Sequence, residues 1–290
     1  MMPFWQLLGE NPLFYSGFLF VLGLLIGSFL NVVIHRLPKM IEAEFRHECN
    51  TLDLPSEAPL PAKPAYNLMV PRSACPQCGR PISALENIPV LSYLALRGRC
   101  RGCGARISIR YPAVELICAV LTAAVGWHLG LTLPGLGAVA LTWALIALFF
   151  IDADTYLLPD SITLPLLWLG MLVNLAGGLV PLQDAVLGAV FGYLSLWSIY
   201  WLFKLATGKE GMGYGDFKLL AALGAWFGWQ ALPLIILLSS VAGALIGIVL
   251  AWSARRGFSK PMPFGPYLAV AGWLTLIWGP QLQRLIFPHW

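Results

Sequence analysis

Charge is what this sequence has least of. Asp, Glu, Lys and Arg make up 11% of its 290 residues, against 58% apolar types. That balance excludes an ordinary soluble domain and points to a polytopic membrane protein whose main solvent is lipid. No basic stretch precedes the first apolar run and no small-residue cleavage pattern follows it, so that run is expected to stay as an anchor. The chain lacks internal repeats and low-complexity tracts, which argues against a solenoid. Histidine is sparse, and His128 and His289 stand too isolated to suggest a metal site.

Uncharged runs cover residues 11–34, 116–151, 161–183, 185–203, 219–254 and 261–283. Each is at or above the length of one membrane-spanning helix, and two are double-length. The first double run breaks at Leu133-Pro134-Gly135 and the second between Gln230 and Pro233. The expected fold is therefore all-α and polytopic, with about eight transmembrane helices: 13–34, 114–130, 135–151, 161–181, 185–205, 217–231, 232–253 and 264–287. Of the 18 Lys and Arg, eleven lie between Arg36 and Arg110, three at Lys204, Lys209 and Lys218, and three at Arg255, Arg256 and Lys260. Eight crossings put all three regions on one side, which the positive-inside rule makes cytoplasmic, with both termini outside. The net charge of +4 is thus explained by topology and anionic lipid, and no nucleic-acid partner is expected.

In the first helix, Gly27 and Ser28 suit close packing and Asn31 can bond across to a neighbour. Arg36 at its end is expected to snorkel to the surface. Three divisions follow: a first membrane helix at 1–38, a cytoplasmic domain at 39–112, and a seven-helix membrane domain at 113–290. Within the second, residues 40–66 read as an irregular loop with clustered prolines. Beyond them lie Cys75-Pro76-Gln77-Cys78-Gly79 and Cys100-Arg101-Gly102-Cys103-Gly104. Two such knuckles can offer four thiolates to one tetrahedral zinc, giving a small zinc-ribbon-like domain between helices one and two. Disulfides are disfavoured on the reducing side of the membrane, and no βαβ pattern supports a redox pair. Cys49 and Cys118 are left as free thiols.

Gly211-Met212-Gly213-Tyr214-Gly215-Asp216-Phe217-Lys218 sets an acid and a flexible glycine turn at the start of an apolar segment. A carboxylate at the edge of hydrocarbon is costly, so Asp216 marks a functional site that needs a partner. Ile151 to Asp160 supplies candidates. Two crossings separate Asp152 from Asp216, so both reach the same face. Two carboxylates on one water share a proton, one serving as base and the other as acid, as in an aspartic protease. Chemistry leaves the upstream choice open. Asp152 lies nearest the helix end, Asp154 could join it in a D-x-D metal site or be merely solvated, and Asp160 reads mainly as a helix N-cap.

Taken together, these motifs resemble the type IV prepilin leader peptidases, membrane aspartic proteases with a Gly-x-Gly-Asp motif, here Gly213-Tyr214-Gly215-Asp216. The likeness runs almost end to end, through Gly27-Ser28-Phe29-Leu30-Asn31, Arg36-Leu37-Pro38, both knuckles, Glu86-Asn87-Ile88-Pro89, Arg110-Tyr111-Pro112-Ala113-Val114-Glu115, Asp152 and Pro159-Asp160. The resemblance implies that Asp152 pairs with Asp216 in catalysis. It implies substrates, type IV prepilins and type II secretion pseudopilins, cut at the cytoplasmic face of the bacterial inner membrane after the glycine that ends a short basic leader. With Cys75, Cys78, Cys100 and Cys103 all present, it also implies N-methylation of the new N-terminal residue, usually Phe, from S-adenosylmethionine. No soluble-type glycine-rich fingerprint locates that donor. Competing readings are a peptidase without methyltransferase activity and a non-catalytic zinc-ribbon scaffold of a secretion machine.

Overall fold

The computed structural model describes residues 8, 9, 11–52, 66–254 and 262–287. Loop residues 53–65, the basic residues Arg255, Arg256 and Lys260, and His289 lie outside the described residues. Among the described residues from Pro12 onward nine α-helices follow one another: α1 (Pro12–Leu52), α2 (Leu91–Ala95), α3 (Arg110–Leu129), α4 (Leu133–Thr155), α5 (Asp160–Leu175), α6 (Leu182–Thr207), α7 (Tyr214–Phe227), α8 (Leu232–Ala254) and α9 (Gly265–Ile286). The protein is an all-α, multi-pass membrane protein. Among the described residues five helical segments, not eight, are long and apolar enough to cross a bilayer: α1, α3, α4, α6 and the stretch from Trp229 into α8. The segments expected at 161–181 and 217–231 form α5 and α7, of 16 and 14 residues. At 1.5 Å per residue α7 extends about 21 Å, short of the hydrocarbon thickness. The third shortfall, α9, has the length but not the apolar character.

Residues 17–123 form one compact unit. Asn11, just ahead of it, caps α1 by accepting from the Leu13 and Phe14 amides, both at 3.1 Å. The helix was expected to stop near residue 34, yet it continues through Pro38 to Leu52. Good helix formers carry it on, with Glu42 and Arg46 one turn apart and paired at 2.6 Å, so proline costs one bond without ending the helix. Residues 40–52 are therefore helical where an irregular loop was expected. Arg36 does not snorkel: it is buried, and its guanidinium donates to the Asn67 carbonyl at 3.0 Å. Helices α1 and α3 meet backbone to backbone at Gly23 and Gly27, where an added Cβ would stand 2.7 Å from the Cα atoms of Ala119 and Glu115. Asn31 donates to the Tyr111 carbonyl at 3.1 Å, the cross-helix bond its position suggested.

The remaining residues, 1–16 and 124–290, form the second unit, built around α7. Every residue from Leu219 to Phe227 is buried. Glycines let the backbones close: Gly188 of α6 and Gly224 of α7 leave no room for a Cβ on either, and one on Gly192 would stand 2.7 Å from the Leu220 carbonyl oxygen. Small residues are what lipid-embedded helices use in place of a hydrophobic driving force. The fully buried Trp226 lies against Gly137 of α4 and Gly170 of α5 and donates its indole N–H to the Leu166 carbonyl at 2.9 Å. Asn174 closes the far end of α7. Its amide donates to the Ala225 and Trp226 carbonyls at 2.8 and 3.1 Å, and its oxygen accepts from the Leu179 and Val180 amides at 2.7 and 3.1 Å.

Candidate active site and metal centre

Both cysteine knuckles fold the same way. In the first, Gly79 takes a left-handed φ of 68°, its amide reaches the Cys75 carbonyl at 2.9 Å, and the Cys75 amide reaches the Arg80 carbonyl at 2.9 Å. In the second, Gly104 has φ 71° and bonds the Cys100 carbonyl at 2.9 Å, while the Cys100 amide bonds the Ala105 carbonyl at 2.8 Å. A positive φ at the turn is what glycine supplies without steric cost. The four sulfurs come within 4.8 Å of one another, Cys75 to Cys103 at 3.9 Å and Cys78 to Cys100 at 4.0 Å, and none is in a disulfide. Zinc–sulfur bonds of about 2.3 Å in a tetrahedron put sulfurs about 3.8 Å apart, so the donor set fits zinc. Backbone N–H groups of Cys103 and Gly102 bring the Cys100 thiol down to about 6, while, against a bond from the Ala105 amide, burial and the neighbouring thiols push the Cys103 thiol up to about 11.

Two motif residues that sequence reasoning left without a role brace this unit. Glu86 accepts from the Ser83 amide and hydroxyl, both at 3.0 Å, and pairs with Arg80 at 3.0 Å. Hydrogen bonds from Ser83, then the Arg80 charge, hold its carboxyl below the usual carboxylate range. Glu115 on α3 is buried and accepts from the Val90 amide at 2.8 Å, at a residue with the unusual φ of 58°.

In the second unit α4 ends at Tyr156, a left-handed residue whose amide bonds the Asp152 carbonyl at 2.9 Å. Asp152 lies inside that last turn, 4% exposed, whereas Asp154 two residues on is exposed. One Asp152 carboxylate oxygen accepts the Gly265 amide, first of α9, at 3.0 Å. Asp216 sits in the first turn of α7, 6% exposed, and its Oδ1 is buried with no hydrogen-bond partner among the described residues. The two carboxylates lie within Coulombic reach of each other. Leu158, from the α4–α5 connection, packs into both approaches: a Cβ on Gly215 would stand 2.6 Å from its Cβ, and one on Gly265 3.0 Å from its Cδ1. Glycine at those two positions is what lets α7, α9 and this connection converge.

Asp160 does not cap α5, whose N-cap is Pro159 without a side-chain bond. Its carboxylate holds Lys218 instead, at 2.6 and 2.7 Å. A first-turn acid faces outward, and the cation two residues beyond Asp216 is what it meets. Among the described residues the four cysteines are the one group of three or more metal-type ligands, so no oxygen-ligand cluster surrounds Asp152. Gly265 is the site residue sequence reasoning missed; its signal was Phe264-Gly265-Pro266 opening a helix after a loop.

Fold and site define an all-α, multi-pass membrane protein with a four-cysteine metal module and a buried acid pair. Comparison with known proteins narrows this class. Residues 21–129 match the family described as the bacterial peptidase A24 N-terminal domain, and residues 139–248 match the type IV leader peptidase family. The chain belongs to the type IV leader peptidase family. It is 60% identical over 273 residues to the prepilin leader peptidase/N-methyltransferase of Aeromonas hydrophila, covering 94% of each chain. Against the protein of that name from Pseudomonas aeruginosa it is 55% identical over 284 residues, 98% of this chain and 97% of the relative. For Burkholderia pseudomallei the figures are 52% over 271 residues, 93% and 87%. No solved structure matches.

Proposed function

We propose that this protein is a prepilin leader peptidase and N-methyltransferase of the bacterial inner membrane, acting on type IV prepilins and type II secretion pseudopilins, with Asp152 and Asp216 as its catalytic pair. The observation that carries the peptidase reading is that both acids are buried, with Leu158 packed against the glycine that adjoins each, and that one oxygen of Asp216 has no partner among the described residues. Orphaned buried acceptors are rare in folded proteins and point to a missing water or substrate. One carboxylate takes a proton from water as the water oxygen attacks the peptide carbonyl, and the other gives a proton to the carbonyl oxygen. The resulting tetrahedral carbon then expels the amine. Gly213, where an added Cβ would meet only the Asp216 Oδ2 at 3.8 Å, leaves an extended leader room to lie beside Asp216.

In this reading eight helices among the described residues, all but α2, cross the membrane, the 14-residue α7 as a buried interior helix that needs little lipid-facing surface. Both termini lie in the periplasm, and Asp152 and Asp216 face the cytoplasm where the basic residues cluster. The pilin's apolar N-terminal helix stays in the bilayer while its leader reaches the acids. Membrane helices at 1–38 and 113–290 serve cleavage, and the region 39–112 serves methyl transfer from S-adenosylmethionine. Zinc, held by Cys75, Cys78, Cys100 and Cys103, fixes the fold of that region, because four thiolates leave no open coordination position.

The test is cleavage of a prepilin by the zinc-loaded protein, with product mass read with and without S-adenosylmethionine. Asp152→Asn and Asp216→Asn should each abolish cleavage without unfolding the protein, and the unmutated protein's product should gain one methyl. A variant that still cleaves removes that acid from the mechanism, and an unmethylated product removes the second activity.

A further inference from the structure

We infer that the start of α9 sets which acid holds the proton: the Gly265 amide fixes Asp152 as the carboxylate, leaving Asp216 as the proton donor. This rests on the paired-acid reading above. The two acids are not equivalent. Asp152 accepts a buried N–H at 3.0 Å, and that donor is the first residue of a 22-residue helix. Free amides and the positive end of the dipole at a helix start favour negative charge, and a hydrogen bond to a carboxylate favours its ionised form. Asp216 also lies in the first turn of a helix, α7, and the Gly213 amide acts on its carboxylate, but its own amide is turned to the Gly213 carbonyl at 3.2 Å and its Oδ1 is buried with no donor among the described residues. Lys218, two residues away, is held by both oxygens of Asp160. An ionised Oδ1 in that position would be a desolvated, unmet acceptor, whereas a hydroxyl there supplies a donor for an incoming carbonyl oxygen.

The assignment gives the reaction a direction. Water's oxygen bonds to the scissile carbon as the carbonyl π bond breaks; water's proton passes to Asp152 and the proton of Asp216 to the carbonyl oxygen. On collapse the carbon–nitrogen bond breaks, Asp152 returns its proton to the departing amine, and Asp216 recovers one from the hydroxyl. Charge and protons balance without another reactant. Gly265 acts through Asp152 and is a positioning residue. A Cβ there would stand 2.7 Å from the Asp152 oxygen and 3.0 Å from Leu158 Cδ1, so only glycine both presents the amide and admits the carboxylate.

Infrared spectra of the full-length, zinc-loaded protein in a detergent without ester carbonyls read the protonated-carboxyl stretch directly. Asp216→Asn should remove one such band from the difference spectrum, and Asp152→Asn should retain it. Loss from Asp152→Asn with retention in Asp216→Asn, both variants being inactive, overturns the assignment while leaving the acid pair standing. An Asn variant that still cleaves prepilin sinks the pair itself. Gly265→Ala should lower kcat on the order of 10²-fold by displacing Asp152, with KM little changed. A raised KM at unchanged kcat would count against it. The infrared arms need no Gly265 variant and decide the matter if that substitution prevents folding.

Discussion

Replacing Asn174 tests how α7, and with it the Asp216 turn, is held in the second unit. The side chain makes four hydrogen bonds, two to the last carbonyls of α7 and two from the Leu179 and Val180 amides. Asn174→Leu keeps the approximate shape and removes all four. The Ala225 and Trp226 backbone lies in the fully buried core, so two carbonyls lose their partners at roughly 1–3 kcal/mol each in water-based terms. In a membrane the unfolded helices also find partners, and bonds between helices average about 0.6 kcal/mol. The amides of Leu179 and Val180 are only half-buried and regain part of their loss. The two limits bracket a destabilisation of about 2–6 kcal/mol. Equilibrium unfolding in mixed micelles measures it, followed by the environment of Trp226, whose own carbonyl loses a bond. Asn174→Asp should be no better, since it turns an acceptor towards the two carbonyls. A Leu variant within about 0.5 kcal/mol of the unmutated protein would refute the reasoning, because two buried and two half-buried bonds would then carry no net weight.

Two further outcomes follow from the first unit. Cys75→Ser combined with Cys78→Ser should take bound zinc from about one per chain to none, read by metal analysis of the purified protein. Acidification should release zinc from the unmutated protein as the thiolates protonate. Gly27→Val should destabilise by more than about 2 kcal/mol, because its Cβ would stand 2.7 Å from a backbone Cα of α3 that cannot move as a side chain can; Gly17→Val in the same helix, with open space around it, should change thermal unfolding little.

Burial, which sequence cannot show, separated the three upstream acids. Asp152 and Asp154 differ by two residues, and on a helix that spacing turns one inward and the other out. The end of α4 buries Asp152 and exposes Asp154, while Asp160 is drawn to Lys218 58 residues away. The fate of Arg36 had the same cause. At a helix end in lipid an arginine ordinarily reaches for water, yet here carbonyls at Asn67 and Leu68 fold back over it. The extension of α1 was legible in part, since Glu42 and Arg46 stood at helical spacing, but the clustered prolines of residues 40–66 suggested one irregular loop.

Composition alone determined that this is a membrane protein, because hydrocarbon excludes charge wherever a chain crosses it, whatever the fold. Cysteine spacing alone picked out the four thiols that gather within 4.8 Å, because each knuckle is a local turn and a shared metal site needs only two of them. Tertiary structure decided what depends on helices meeting. It set the Gly265 amide against Asp152 across 113 residues of sequence, wedged Leu158 beside Gly215 and Gly265, and left one oxygen of Asp216 without a partner among the described residues. Those contacts come from how closely glycines let backbones approach, and that distance is a property of the packed helices, written at no single position in the chain.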